Sequence, residues 1–274
     1  MPELPEVQTV VSTLQPRVEG KRLARVDLKR PDIVRPCGFD LERALRGRAI
    51  LAIARRGKRI LFTLETGEQW YIHLGMTGRL TVESPAAEIA KHTHFIATLA
   101  PGGQELRFRD PRRFGGIFWL GCVDCESDPA LGPEPLRLSA STLARRLAKT
   151  KRAIKNALLD QRLIAGLGNI YVDEALFAAA IHPLARADRL NTDQVRRLNS
   201  SIKRTLRRAI LHRGSTLRDF ADANGAAGGY QKLHRVYGRR GEKCPDCGTA
   251  IQRIIVGGRS THFCKHCQPR RRSK

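Results

Sequence analysis

The chain lacks any apolar run near the roughly eighteen residues that a membrane-spanning helix needs, and Met1-Pro2-Glu3 has neither the basic start nor the apolar core of an export signal. A spanning or exported protein is therefore not expected; a cytosolic one is. Internal repeats are absent, so a repeat architecture is not expected either. Acidic side chains are scarce: 26 Asp and Glu stand against 50 Lys and Arg, a formal charge of +24 over 274 residues. A surplus of this sign favours a polyanionic partner, because cations that neutralise phosphates release condensed counterions. Nucleic acid is the first candidate. A membrane surface or a ribosome would also satisfy the charge, so composition narrows the partner more than the activity. The length allows two or three domains with their own cores.

Cysteines are few but patterned. Cys244-Pro-Asp-Cys247 and Cys264-Lys-His-Cys267, separated by sixteen residues, have the spacing of a four-thiolate structural zinc site. Disulfides compete poorly in a cytosolic chain. His266 lies between two of the ligands, but four thiolates already complete a tetrahedron. Cys122-Val-Asp-Cys125 has no second pair and follows an apolar run rather than opening a helix, so surface loop thiols are expected there. Cys37 has no assigned role.

Periodicity changes along the chain. Pro5 fits a first helical turn, and Val7, Val10, Val11 and Leu14 repeat at helical spacing behind it. From about Arg22 to Leu120 the period shortens to two, with glycine turns between segments, which predicts a β-sandwich. Leu131-Gly-Pro-Glu-Pro-Leu136 reads as a linker. Helical spacing then returns through Ile154 and Leu158, through Val172, Leu176 and Ala179, and from Val195 to Ile210. A Gly/Ala-rich stretch around residues 224–229 predicts a mobile loop before the cysteine ribbon. The expected division is 1–130, 131–238 and 239–274.

Pro2 gives the start of the chain chemical content. Trimming of Met1 leaves a secondary amine whose pKa near ~8, against about 10.4 for lysine, keeps a useful fraction nucleophilic at neutral pH. Attack of such an amine on a sugar's anomeric carbon gives an imine, the chemistry of a lyase, and Glu3 and Glu6 stand beside it. Met-Pro starts are also common without any function.

Pro-Glu-Leu-Pro-Glu-Val at 2–7, Arg56-Gly-Lys-Arg59, His73-Leu-Gly-Met76, Asp110-Pro-Arg-Arg-Phe-Gly115, Gly168-Asn-Ile-Tyr171 and the cysteine ribbon together resemble the formamidopyrimidine-DNA glycosylase (Fpg/Nei) family. The resemblance covers essentially the whole chain. It implies an α+β multidomain fold: an N-terminal helix plus β-sandwich, a helix-two-turns-helix α domain and a C-terminal four-cysteine zinc ribbon holding one structural Zn2+. It also implies a bacterial, monomeric base-excision enzyme acting on double-stranded DNA that contains oxidised purines, 8-oxoguanine and ring-opened formamidopyrimidines. The abasic strand is then cut by β and δ elimination.

By this resemblance Pro2 is the nucleophile, Glu3 protonates the sugar oxygen, Lys58 serves β elimination and phosphate binding, and Arg259 holds the lesion phosphate and serves δ elimination. Met76, Arg112 and Phe114 fill the gap left by the flipped nucleotide, a step that a base inside a duplex makes necessary. His92, Lys151, Lys155, Asn169 and Tyr237 match DNA-contacting positions, and Glu6 and Glu174 supporting ones. On the residues alone, Lys58 is a strand-edge lysine, Met76 and Phe114 are core residues, and Lys151 and Lys155 are solvated helical lysines. Gly166-Leu-Gly-Asn169 is not a dinucleotide fingerprint, since no strand precedes it and the third glycine is missing. The loop at 224–229 corresponds to the family's variable lesion loop, and Pro269 to Lys274 reads as a basic tail. Two alternatives stand: an endonuclease VIII-like enzyme for oxidised pyrimidines, and a noncatalytic zinc-ribbon DNA-binding protein.

Overall fold

The computed structural model describes residues 1–123, 128, 130–217 and 220–270. They form two compact units, Met1–Asp128 with His212–Gly229, and Pro129–Leu211 with Tyr230–Lys274.

The first unit opens with α1 (Leu4–Val18), whose buried face carries Val7, Val10, Val11, Leu14 and Val18. Nine strands follow: β1 (Arg22–Leu28), β2 (Val34–Arg35), β3 (Ile50–Arg56), β4 (Arg59–Leu64), β5 (Gln69–His73), β6 (Arg79–Glu83), β7 (Thr93–Ala100), β8 (Glu105–Arg109) and β9 (Gly116–Gly121). A short helix, α2 (Leu41–Leu45), interrupts them, started by Asp40, whose side chain accepts the Arg43 N–H at 3.0 Å. One sheet has the order β1-β7-β8-β6 and the other β2-β9-β5-β4-β3, with β2 running parallel to β9. The apolar faces of both sheets meet in one core, where Trp70 stacks on Phe62 at 4.1 Å and tilts against Phe95 at 6.0 Å. Alternating residues built this sandwich because one side of each sheet must leave water.

Residues 212–229 belong to this unit and not to the 131–238 segment in which the sequence division places them. The reason is packing: Phe220 and Ala223 join the sandwich core, and the Ala223 N–H donates to Thr13 Oγ1 at 3.2 Å. The stretch expected as a mobile loop is also well tied. Buried Asp222 accepts the N–H groups of Asn224 and Ala226, each at 2.9 Å, and pairs with Arg213 at 2.6 Å. Gly228 N–H donates to Thr216 Oγ1 at 2.9 Å.

The second unit contains α3 (Ala140–Leu147), α4 (Ile154–Leu159), α5 (Asn169–Ala178) and α6 (Thr192–Leu211), then the hairpin of β10 (Gln252–Val256) and β11 (Arg259–Phe263). The Gln161 side chain staples the α4–α5 connection, accepting the Gly166 N–H at 2.9 Å and donating to Leu167 O at 2.8 Å. Among the described residues, no helix is long and apolar enough to cross a membrane.

Candidate active site

Within the first unit, the start of α1 is held from two directions. Pro2, Glu3 and Glu6 are buried. The Glu6 carboxylate accepts the Glu3 N–H at 2.8 Å through Oε2 and the Ser215 N–H at 2.6 Å through Oε1. It therefore joins the first residues of the chain to the 213–216 turn. Gly214 makes that approach possible: its φ is +74°, and a Cβ there would lie 2.7 Å from Glu6 Oε1. On the other side, Gln8 Oε1 accepts from Arg55 Nε at 3.0 Å, and the same guanidinium donates to Gly57 O at 3.1 Å. This chain of contacts reaches from α1 to the β3–β4 turn that carries Lys58, a largely buried lysine. His73, at the end of β5, faces the same cations. Burial first, then Lys58 and Arg59, hold its pKa down to about 4, so at neutral pH its ring is uncharged and Nδ1 accepts the Gly75 N–H at 3.2 Å.

Met76 and Phe114 are 41% and 56% exposed, so neither is the core residue that its type alone suggests. They sit on two adjoining loops. Gly75, with φ +62°, lets these loops touch, since a Cβ there would lie 2.4 Å from Gly115 N and 2.5 Å from Phe114 C. Asp110 then fixes both. Its buried carboxylate accepts the Thr77 hydroxyl at 2.5 Å and the Arg112 N–H at 3.3 Å through Oδ1, and the Gly115 N–H at 2.8 Å through Oδ2. Arg112 lies over the Phe114 ring at 4.6 Å. His92 is exposed with φ 69°, and its carbonyl accepts the Asp110 N–H at 3.1 Å.

In the second unit, the N-terminal end of α5 meets the β10–β11 hairpin. Asn169 Nδ2 donates to Ser260 O at 2.9 Å, while its buried Oδ1 has no partner among the described residues. Lys155 corrects its expected role. Expected as a DNA-contacting residue, Lys155 is 0% exposed, and its ammonium is held inside the unit, ion-paired to Asp173 at 2.6 Å and donating to Ser260 O at 2.9 Å. Asp173 also accepts the His262 N–H at 2.9 Å, so this pair clamps β11 onto α5. Lys151 and Arg259 are exposed, Arg259 following the Gly257-Gly258 turn, whose φ values are 56° and 74°. Glu174 is buried, which pushes its pKa up, while the N–H groups of Arg235, Val236 and Tyr237 donate to its carboxylate at 2.8–3.1 Å. It positions the segment that carries half-buried Tyr237.

The thiolates of Cys244, Cys247, Cys264 and Cys267 lie within 4.8 Å of one another. Cys244 and Cys267 Sγ are 3.8 Å apart, and Cys247 and Cys264 Sγ 3.5 Å. Disulfides need about 2.05 Å, whereas a tetrahedron with zinc–sulfur bonds of about 2.3 Å has edges near ~3.8 Å. The donor set therefore fits zinc. Cys37 and Cys122 are exposed thiols; Cys125 and residues 271–274 of the basic tail lie outside the described residues.

Family profiles match residues 1–117 (formamidopyrimidine-DNA glycosylase N-terminal domain), 131–221 (its H2TH domain) and 241–270 (zinc finger found in FPG and IleRS). The chain belongs to the formamidopyrimidine-DNA glycosylase family. It is 43% identical over 281 residues to the formamidopyrimidine-DNA glycosylase of Bacillus subtilis strain 168, covering 99% of this chain and 100% of that one. The MutM (Fpg) crystal structure from Thermus thermophilus superposes with a TM-score of 0.87 at 42% identity, covering 97% of this chain and 98% of that chain. Lactococcus lactis Fpg (MutM), solved with DNA containing N7-benzyl-Fapy-dG, gives a TM-score of 0.91 at 36% identity, covering 98% and 100%. The four-cysteine cluster of this family member holds one structural zinc.

Sequence reasoning missed the residues that organise these loops. Asp110 lies inside a quoted motif and precedes a proline, a turn signal that could have singled it out. Asp173 had no such signal, because its partner Lys155 lies eighteen residues away on another helix.

Proposed function

We propose that this enzyme removes oxidised purines through an imine formed at Pro2. The chain is a DNA-binding glycosylase and abasic-site lyase of base-excision repair. The role of each residue is our assignment, supported by the family motifs and by the geometry of each unit. With Met1 removed, the Pro2 nitrogen attacks the anomeric carbon of the flipped nucleotide. The bond from that carbon to the damaged base breaks as the new carbon–nitrogen bond forms, and the base leaves. Glu3 delivers a proton to the sugar ring oxygen as the ring opens to the imine. Lys58 assists β elimination and binds phosphate, and Arg259, with its planar fork, binds phosphate and assists δ elimination.

Phe114 and Met76 fill the space of the extruded nucleotide, and Arg112 hydrogen-bonds the orphaned base. Lys151, Asn169, Tyr237 and His92 take backbone phosphates. Glu6 and Glu174 act through the segments they hold. We place the enzyme in the bacterial cytoplasm as a monomer.

The observation that carries this reading is the buried Pro2-Glu3 start of α1, tied through Gln8, Arg55 and Gly57 to the turn of Lys58. Borohydride trapping tests it, on duplexes with 8-oxoguanine opposite cytosine, with thymine glycol, and without damage. The expected result is a covalent adduct on the first duplex that maps to Pro2 and is diminished in Pro2→Gly, which replaces the secondary amine by a primary one. Preferential trapping on thymine glycol would move the enzyme to the oxidised-pyrimidine branch. An adduct on a lysine would overturn the nucleophile.

A further inference from the structure

At the far end of α5 from Asn169, about 15 Å along a helix of this length, the second unit holds a cavity of about 640 Å³ that the repair chemistry does not use. It lies between the 180–197 segment and the last zinc knuckle. Ile181, Leu184 and Leu190 are the larger apolar residues of its lining. Arg186, Arg189, Arg197 and Arg270 line it, and among the described residues no carboxylate does. Arg186 is taken by Asp188 at 2.7 Å, but the guanidinium groups of Arg189, Arg197 and Arg270 make no hydrogen bond or ion pair among the described residues. The start of α6 forms the lip and is fixed there by reciprocal capping, the Gln194 N–H donating to Asn191 Oδ1 and the Asn191 N–H to Gln194 Oε1, both at 2.9 Å. The positive end of a twenty-residue helix adds to the same field.

Unpaired guanidinium forks beside apolar lining residues select a ligand that brings carboxylates and hydrocarbon together. A duplex presents phosphates at its surface and is too wide to seat in a cavity of this volume, so it would meet the guanidinium groups and leave the apolar lining in water. We propose that this groove docks a short acidic peptide segment of a partner protein, its carboxylates on Arg189, Arg197 and Arg270 and one or two apolar side chains on Ile181, Leu184 and Leu190. Such a site would bring the enzyme to a partner without occupying Asn169 or Arg259 at the opposite end of α5 and β11.

The probe is a fluorescein-labelled peptide of aspartates interrupted by two leucines, titrated with the zinc-replete, full-length protein at about 0.15 M salt and read by anisotropy. Arg189→Glu/Arg197→Glu should weaken binding at least about tenfold. Arg204→Glu/Arg207→Glu makes the same charge change farther along α6, outside the groove, and should cost less than about twofold. Glycine in place of the leucines should cost about as much as the first pair. Excision on a lesion duplex should be alike in both variants. Equal losses in the two variants, binding indifferent to the leucines, or displacement of the peptide by undamaged duplex at its own binding concentration would each overturn the proposal. Arg189→Gln/Arg197→Gln, matched to wild type by circular dichroism and zinc content, removes misfolding as an explanation and should show a loss of the same sign.

Discussion

Asp110 shows how one side chain organises a surface it does not itself form. Its two carboxylate oxygens take donors from two adjoining loops, Thr77 on that of Met76, and Arg112 and Gly115 on that of Phe114. Asp110→Asn turns one acceptor into a donor that faces a donor. The expected cost is about 1–3 kcal/mol of stability, measured by denaturant unfolding. Excision of 8-oxoguanine should slow more than borohydride trapping on a pre-formed abasic site, where no damaged base must be released. Equal slowing of both reactions would place the effect in the chemistry and not in the loops. The residues that the sequence singles out, Pro2, Glu3, Lys58, Arg112 and Arg259, sit in short motifs with glycine or proline beside them. Residues that hold those groups were less legible. Glu6 receives Ser215, and Asp173 receives Lys155, across sequence separations that no local pattern records.

Among the elements, β6 was the most legible because its buried and half-buried residues alternate, whereas β4, β5, β7 and β8 each bury three or more consecutive residues and are marked more by their β-branched and aromatic content. Helix α2 was not legible, being a single capped turn without room for a periodic face. The fate of residues 212–229 was hidden as well: glycine and alanine suggest freedom, whereas Asp222 and the packing of Ala223 decide the outcome. The α4–α5–β11 contact carries its own expected outcome. Lys155→Met takes the ammonium from buried Asp173 and leaves its carboxylate with the His262 contacts only, a change that costs about 3–5 kcal/mol in comparable sites. Hydrogen exchange should then show the β10–β11 hairpin and α5 opening together. A variant of unchanged stability that binds duplex weakly would instead return Lys155 to phosphate binding.

For the whole molecule, the formal charge of +24 makes DNA affinity a function of salt. If both units take phosphates as assigned, the three cationic contacts of Lys58, Lys151 and Arg259 alone would lower affinity by about 40-fold between 50 and 200 mM salt. Anisotropy titrations should give nearly parallel log–log slopes for lesion and undamaged duplexes, because phosphates position the protein and the flipped base decides. A shallow slope would mean that most of the positive charge never meets the backbone.

Gly75 has a consequence of a different kind. The spacing of the Met76 and Phe114 loops is set by an atom the chain does not have, since any Cβ at 75 would run into the backbone of Phe114 and Gly115. A position with nothing to donate, accept or stack thus carries a constraint of its own. In the evolutionary record of such a surface, the tightest restriction would fall on an empty place.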